Sequence, residues 1–96
     1  MKGYVIANIQ VHDPIGYAEY RRLSPQVLQE FGARYLVLGG ESRVPEGDWT
    51  PHRLVVIEFD SYAKAQEWYD SERYRPALDV RKKTATTQLI LIQGAP

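Results

Sequence analysis

The chain of 96 residues carries an amide, aromatic rings and an arginine that could together bind an organic acid. Asn8 could donate a hydrogen bond to a carbonyl or a developing enolate, and such a bond is stronger in an apolar pocket than in water. Trp68 and Tyr69 offer flat faces to a planar ligand, and Arg81 favours the anionic form of that ligand. These residues predict a small-molecule pocket for a small aromatic or organic acid.

Two tyrosines add the possibility of proton transfer. Tyr20, which is also a predicted ligand-binding residue, or Tyr74 could relay a proton to or from a bound phenol. Dioxygen reacts with an electron-rich carbanion without a metal, so such a pocket could support oxygenation or isomerisation without a cofactor. The candidate catalytic residues under this alternative are Asn8, Tyr74 and Arg81, which are chosen by the family resemblance described below.

Each of these residues also has a purely structural interpretation. Asn8 could satisfy a neighbouring backbone group, because buried polar side chains need a partner whatever their function. Trp68 and Tyr69 are of types that often fill a core. Arg81 could form a salt bridge, and Glu58, at the polar end of an apolar strand, must be paired or face water. A structural or stress-associated dimer with a filled pocket is therefore a further alternative.

The composition argues against several other functions. Twelve basic and twelve acidic residues leave no basic surplus of the kind that nucleic-acid binding needs. With two histidines and no cysteine, a metal site is not expected. The sequence also lacks a glycine-rich phosphate loop, so a nucleotide cofactor is not expected. No signal peptide or membrane-spanning stretch is visible, so no membrane partner and a cytoplasmic location are expected.

The elements that must position these residues follow the order β-α-β-β-α-β. This is the ferredoxin-like pattern, an α+β sandwich with a four-stranded antiparallel sheet, and residues 1–96 are short enough for a single domain. A bend or local break is expected at Pro25. The predicted strands are Tyr4–Val11, Tyr35–Leu38, Leu54–Phe59 and Leu89–Ile92, and the helices begin at Asp13-Pro14, at Asp60 or Ser61, and at Pro76.

The predicted strands are apolar on both faces, although the helices of this fold cover only one face. The other face therefore needs a partner, and a second copy packed sheet against sheet is the simplest one. Counting from Asn8 predicts that Val5, Ala7, Ile9 and Val11 lie on that face. The sequence thus predicts a homodimer formed through the sheet.

Several short motifs resemble, in order and spacing, the bacterial family called domain of unknown function 1330. That family belongs to the dimeric α/β-barrel superfamily, and the resemblance implies a ferredoxin-like dimer with a pocket between sheet and helices. The motifs are Asp13-Pro14 with Tyr17 and Tyr20, Gly39-Gly40-Glu41, Glu46-Gly47-Asp48-Trp49, Val56-Ile57-Glu58-Phe59, and Trp68-Tyr69 with Ser71 and Tyr74.

The superfamily includes cofactor-free monooxygenases, and the resemblance carries some of their residues over to this chain. Asn8 and Trp68 are similar to the first-strand Asn and the helical Trp of those enzymes, and Tyr74 and Arg81 to a Tyr and an Arg that follow the Trp. The haem-degrading type has an axial His where this chain has Leu78, so a haem role is not expected.

Open space around Asn8, Tyr20, Trp68 and Arg81 would favour a binding protein or an enzyme, and a filled site would favour the scaffold. Trp49, in the long polar connection Glu41–Pro51, is expected to need a packing surface. We expect this connection to reach across the dimer to the neighbouring pocket.

Overall fold

Four antiparallel strands form one sheet, and three helices lie against one of its faces. The computed structural model describes residues Met1–Pro96. The strand order is β2-β3-β1-β4, which confirms the predicted α+β ferredoxin-like fold. The elements are β1 (Gly3–Val11), α1 (Pro14–Glu30), β2 (Arg34–Leu38), β3 (Arg53–Phe59), α2 (Tyr62–Asp70), α3 (Arg75–Thr84) and β4 (Ala85–Gln93).

The first two helices begin where local side chains cap them. Asp13 Oδ1 accepts a hydrogen bond of 3.0 Å from the Gly16 amide, and Pro14 occupies the first turn of α1. Ser61 Oγ accepts one of 3.1 Å from the Lys64 amide at the start of α2. The break expected at Pro25 is absent, because α1 runs without interruption through it.

The β1 residues that were predicted to lie on the uncovered face of the sheet lie instead on the face that the helices cover. Val5, Ala7 and Ile9 are buried in the core beneath the helices, so their predicted place on the uncovered face is wrong. The wrong assignment came from placing Asn8 on the helix side, since β1 is apolar on both faces and its hydrophobicity does not reveal which face points inward. Val11, counted with the same set, also packs against the core.

The centre of the core is an aromatic cluster. Trp68 is 1% exposed, and its ring centroid lies 4.2 Å from that of Tyr74 and 5.4 Å from that of Phe59. Ser71 fixes the turn between α2 and α3 through two hydrogen bonds. Its Oγ donates one of 2.8 Å to the Trp68 carbonyl and accepts one of 3.1 Å from the Tyr74 amide. These rings anchor both helices to the sheet.

The open face of the sheet, which no helix covers, has an apolar centre and a polar network at one end. Ile90 is 53% exposed there, opposite Ile6 on β1. At the polar end Tyr4 Oη donates a hydrogen bond of 3.0 Å to the Glu58 carboxylate, and Arg34 Nε donates one of 2.6 Å to the same carboxylate. The Arg34 hydrogen bond, and then that of Tyr4, lower the pKa of Glu58. The prediction that Glu58 must be paired or face water is therefore confirmed.

A substitution at Gly3 tests how tightly β1 packs under α2. An alanine Cβ at Gly3 would lie 2.5 Å from the Tyr62 Cα and 2.6 Å from the Ser61 carbonyl oxygen. Both are backbone atoms that cannot move aside, so Gly3→Ala should lower the free energy of unfolding by about 1–3 kcal/mol in urea denaturation. Gly40→Ala is the matched control, because nothing lies within 4 Å of that position. Equal stability of the two variants would contradict this packing.

Candidate functional site

Arg81 is a buried arginine at the centre of a tyrosine cluster. It lies in the last turn of α3 and is 3% exposed. Its guanidinium carbon is 5.8 Å from the centroid of the Tyr20 ring, within the range of a cation–π interaction. The Tyr20 and Tyr74 hydroxyls share a hydrogen bond of 2.7 Å. We call these three residues the Arg81 cluster; it joins α1 to α3.

No acidic side chain neutralises this arginine. The five ion pairs of the protein all lie elsewhere, at Lys2–Asp60, Arg22–Glu19, Arg34–Glu58, Lys64–Glu67 and Arg73–Glu30. Arg81 Nε is buried and has no hydrogen-bond partner. Burying a charge costs free energy unless it is paired and hydrogen-bonded, so this guanidinium is poised for an anion that the protein does not itself supply.

A cavity of about 370 Å³ opens beside Arg81, between the end of α3 and the edge strand β4. We call it the Arg81 cavity. Thr87 is one of its lining residues, and the Thr87 hydroxyl is also buried without a hydrogen-bond partner. Lys82 is the second cation in the lining, and no carboxylate is present there. The apolar side of the cavity consists of Tyr69, Ala85, Leu89 and Leu91.

The chemistry of the Arg81 cavity suits an organic acid. Arginine recognises a carboxylate through two parallel N–H donors, and the Thr87 hydroxyl can add a third hydrogen bond. The Tyr69 ring is held edge-on to Trp68 at a centroid distance of 5.9 Å, so a ligand meets a fixed aromatic surface. The cavity therefore combines a charged end with an apolar end.

The protonation of Tyr74 limits what the cluster can do in catalysis. Burial, and then the neighbouring Tyr20, raise the pKa of Tyr74 well above its usual value. Tyr74 therefore keeps its proton at neutral pH, where it can donate a hydrogen bond but does not act as a general base.

The structure brings together five of the six sequence-predicted site residues. Tyr20, Tyr69, Tyr74 and Arg81 lie on the helix side of the sheet with Trp68, whose ring fills the core. Asn8 does not join them. It lies on the open face, where its Oδ1 accepts a hydrogen bond of 2.8 Å from the His52 amide. The expectation that Asn8 and Trp68 line one pocket is therefore wrong.

Sequence reasoning missed both of the other polar residues that line the Arg81 cavity, Lys82 and Thr87, as well as its aliphatic residues. Lys82 adjoins Arg81 in a basic run that is typical of a solvated helix end. Thr87 lies two residues before Leu89, at which the last strand was predicted to begin, whereas β4 begins at Ala85. The alternation of Thr87, Leu89 and Leu91 on one face of β4 was the signal that could have found Thr87.

Trp49 of the long connection lies over the open face of its own subunit. It is 56% exposed and borders two shallow grooves there with Asn8 and Gln88. No group of three or more His, Cys, Asp or Glu side chains is arranged to hold a metal ion. No helix has the length and apolar character needed to cross a membrane.

The hydrogen bond within the Arg81 cluster can be tested by removing hydroxyl groups. Tyr20→Phe leaves the buried Tyr74 hydroxyl without its partner and should cost about 1–3 kcal/mol of unfolding free energy in urea denaturation. The double variant Tyr20→Phe with Tyr74→Phe should cost less than the sum of the two single changes. Tyr62→Phe, outside the cluster, should have little effect. Strict additivity of the two substitutions would show that the hydroxyls do not interact.

Solved structures share this fold at low sequence identity. A protein of unknown function from Rhodopseudomonas palustris is 20% identical with a TM-score of 0.76, and the match covers 99% of this chain and 83% of that one. A dimeric ferredoxin-like protein of unknown function from Jannaschia sp. CCS1 is 9% identical with a TM-score of 0.70, covering 98% and 100%. A variant of a cofactor-independent oxygenase from Streptomyces nogalater is 12% identical with a TM-score of 0.61, covering 99% and 94%.

The sequence itself matches one family model over nearly its whole length. That model is described as Domain of unknown function (DUF1330), and it matches residues 2–95. A search of curated proteins found no match. The chain therefore belongs to the DUF1330 family, which confirms the resemblance read from its motifs.

Proposed function

We propose that this DUF1330 protein is a homodimer that binds a small organic acid in the Arg81 cavity of each subunit. The observation that carries the proposal is the burial of Arg81 without an acidic partner. The acid's carboxylate binds Arg81 and the Thr87 hydroxyl. Its aliphatic or aromatic body packs against Tyr69 and Leu89.

Recognition of the acid has two stages in this account. Lys82 and Arg81 are the only charged residues of the lining, so the cavity attracts anions and repels cations. Binding then removes the carboxylate from water. Hydrogen bonds to the guanidinium, together with its charge, offset this loss of hydration. A neutral amide of the same shape lacks the charge and should bind much more weakly.

The two alternatives from the sequence fit the geometry less well. Cofactor-free oxygenation is favoured by one observation, the Tyr20–Tyr74 hydrogen bond beside Arg81, which could relay a proton from a bound phenol to a base. Such a reaction needs a base, and no histidine or carboxylate lines the cavity. An inert scaffold fits the filled space around Trp68 but not the open cavity beside Arg81. Binding without turnover is therefore the function we favour.

We propose that the dimer forms through the open face of the sheet. The aliphatic centre of this face is exposed in the isolated subunit at Ile6, Ile90 and Ile92. A second sheet packed on it would remove these side chains from water, at about 25 cal/mol for each Å² of apolar surface. The ferredoxin-like protein from Jannaschia sp. CCS1 is dimeric, which supports a homodimer, and the choice of face rests on the exposed isoleucines alone.

Substitution of Arg81 tests the binding site. Hexanoate and benzoate at millimolar concentration should raise the melting temperature of the native protein, because they bind only the folded state, and hexanamide and benzamide should not. Arg81→Gln should abolish the hexanoate shift. The same change removes the contact between Arg81 and the Tyr20 ring but leaves no carboxylate unpaired, so it should lower the unfolding free energy of the free protein by only about 1–2 kcal/mol.

Lys83→Gln is the matched control, since Lys83 is an exposed basic residue in the same turn of α3. It should retain the hexanoate shift. If Arg81→Gln still responds to hexanoate like the native protein, the proposed site is wrong.

A charge on the open face tests the dimer. Ile90→Lys should dissociate the dimer at micromolar concentration, as measured by light scattering, because it places an unpaired charge in an apolar interface. Ile15→Lys is the control, since Ile15 is 90% exposed on α1, away from the sheet. A native protein that is monomeric at this concentration would refute the proposed assembly.

A further inference from the structure

We infer that a second cavity, between α1 and the edge of the sheet at β2 and β3, binds a planar aromatic carboxylate. This cavity, of about 210 Å³, is separate from the Arg81 cavity, and the inference does not depend on the function proposed for that site. We call it the tyrosine cavity. Its lining includes three tyrosines, two arginines and a buried serine.

The tyrosines provide walls for a flat ring. Tyr17 and Tyr20 come from α1, with ring centroids 5.3 Å apart, and Tyr35 comes from β2. Ile9, Val55 and Ile57 add an apolar surface from the sheet. Aromatic rings favour offset or edge-on contacts with another ring, so an aromatic ligand gains more here than an aliphatic one of equal volume.

A buried hydroxyl in this wall has no partner. Ser24 is 2% exposed, and its Oγ forms no hydrogen bond within the protein. Burial, and then the nearby Tyr20, raise the pKa of Tyr35, while the Ser24 hydroxyl offsets part of that rise. Ser24 and Tyr35 line the same cavity, and no hydrogen bond joins them. A ligand oxygen could complete the hydrogen bonding of Ser24, which buried polar groups normally require.

The charge of the tyrosine cavity selects an anion. Arg21 and Arg53 are its only charged residues, and neither belongs to an ion pair. Arg21 is held at the rim by Tyr17, whose ring centroid lies 5.3 Å from its guanidinium carbon. Arg53 packs against Gly39. A Cβ at position 39 would lie 2.6 Å from Arg53 Nη1, so the glycine leaves room for the guanidinium.

The combination defines the ligand class more narrowly than either feature alone. Three aromatic rings favour a planar ring, and two unpaired guanidinium groups favour a carboxylate attached to it. Tyr20 lines this cavity and also contacts Arg81, so the two sites are neighbours. They differ in their cations and hydroxyls, which allows each to be tested separately.

The test is a titration with benzoate followed by two-dimensional NMR of the backbone amides. The inference predicts shifts at Ser24, Tyr35 and Val55, whether or not a second set of shifts appears around Thr87. It also predicts that cyclohexanecarboxylate binds this site more weakly than benzoate and that benzamide does not bind it at all. Arg53→Gln should weaken the affinity reported by the Ser24 and Tyr35 amides by roughly tenfold or more.

Matched variants keep the result specific. Arg43→Gln, an exposed arginine of the long connection, should leave the benzoate affinity unchanged. Thr87→Val should weaken any shifts around Leu89 without affecting those at Ser24, because Thr87 lines only the Arg81 cavity. If Arg53→Gln does not fold, Arg21→Gln on the exposed side of α1 replaces it, with a loss in the same direction. Absence of shifts at Ser24 and Tyr35, or an affinity there that Arg53→Gln and Arg21→Gln leave unaltered, would overturn the inference.

Discussion

The burial of Arg81 without a counter-charge is the constraint around which the helix side of this protein is organised. The Tyr20 ring lies beside the guanidinium, and its hydroxyl is hydrogen-bonded to that of Tyr74, where a carboxylate would normally be found. Tyr20 comes from α1 and Tyr74 from the start of α3, so the same residues that surround the charge also join the helices. Hydroxyls solvate a cation less well than a carboxylate pairs with it, and the cavity beside Arg81 is where an anion can complete the arrangement.

The two faces of the sheet have different roles, ligand binding on the helix side and dimer formation on the open face. The helix side carries the aromatic core and both cavities, whereas the open face carries Ile6 and Ile90, with the polar network of Glu58 at one end. Apolar residues on both faces of a strand require cover on both faces. A dimer formed through the open face leaves the helix side of each subunit free to bind its own ligands, so the two roles need not compete for one surface.

Local signals in the sequence were enough to predict most elements. Asp13-Pro14 and Ser61 start helices through their own hydrogen bonds, which depend on adjacent residues alone. Pro25 did not break α1. A proline removes only one helical hydrogen bond, and Val27 and Leu28 beyond it are buried in the core, which holds that turn in place.

The face of a strand and the partners of a buried charge could not be predicted in the same way. Asn8 and its neighbours on β1 are flanked by apolar residues in both directions, so only the contact with the helices decides which side is buried. Arg81 was identified as a ligand-binding candidate, but its lack of an acidic partner is a property of three-dimensional packing. The sequence could not show that the hydroxyls of Ser24 and Thr87 lack a hydrogen-bond partner, because this depends on the atoms packed around them.

The most direct test of the account is the NMR signal of the Arg81 Nε–H group, assigned by its loss in Arg81→Gln and followed as hexanoate is added. The signal should move downfield and saturate as the acid is added, because a buried donor gains a charged acceptor. It should not respond to hexanamide. A signal that hexanoate leaves unmoved, while the Lys83→Gln control behaves like the native protein, would show that Arg81 has no role in binding this acid.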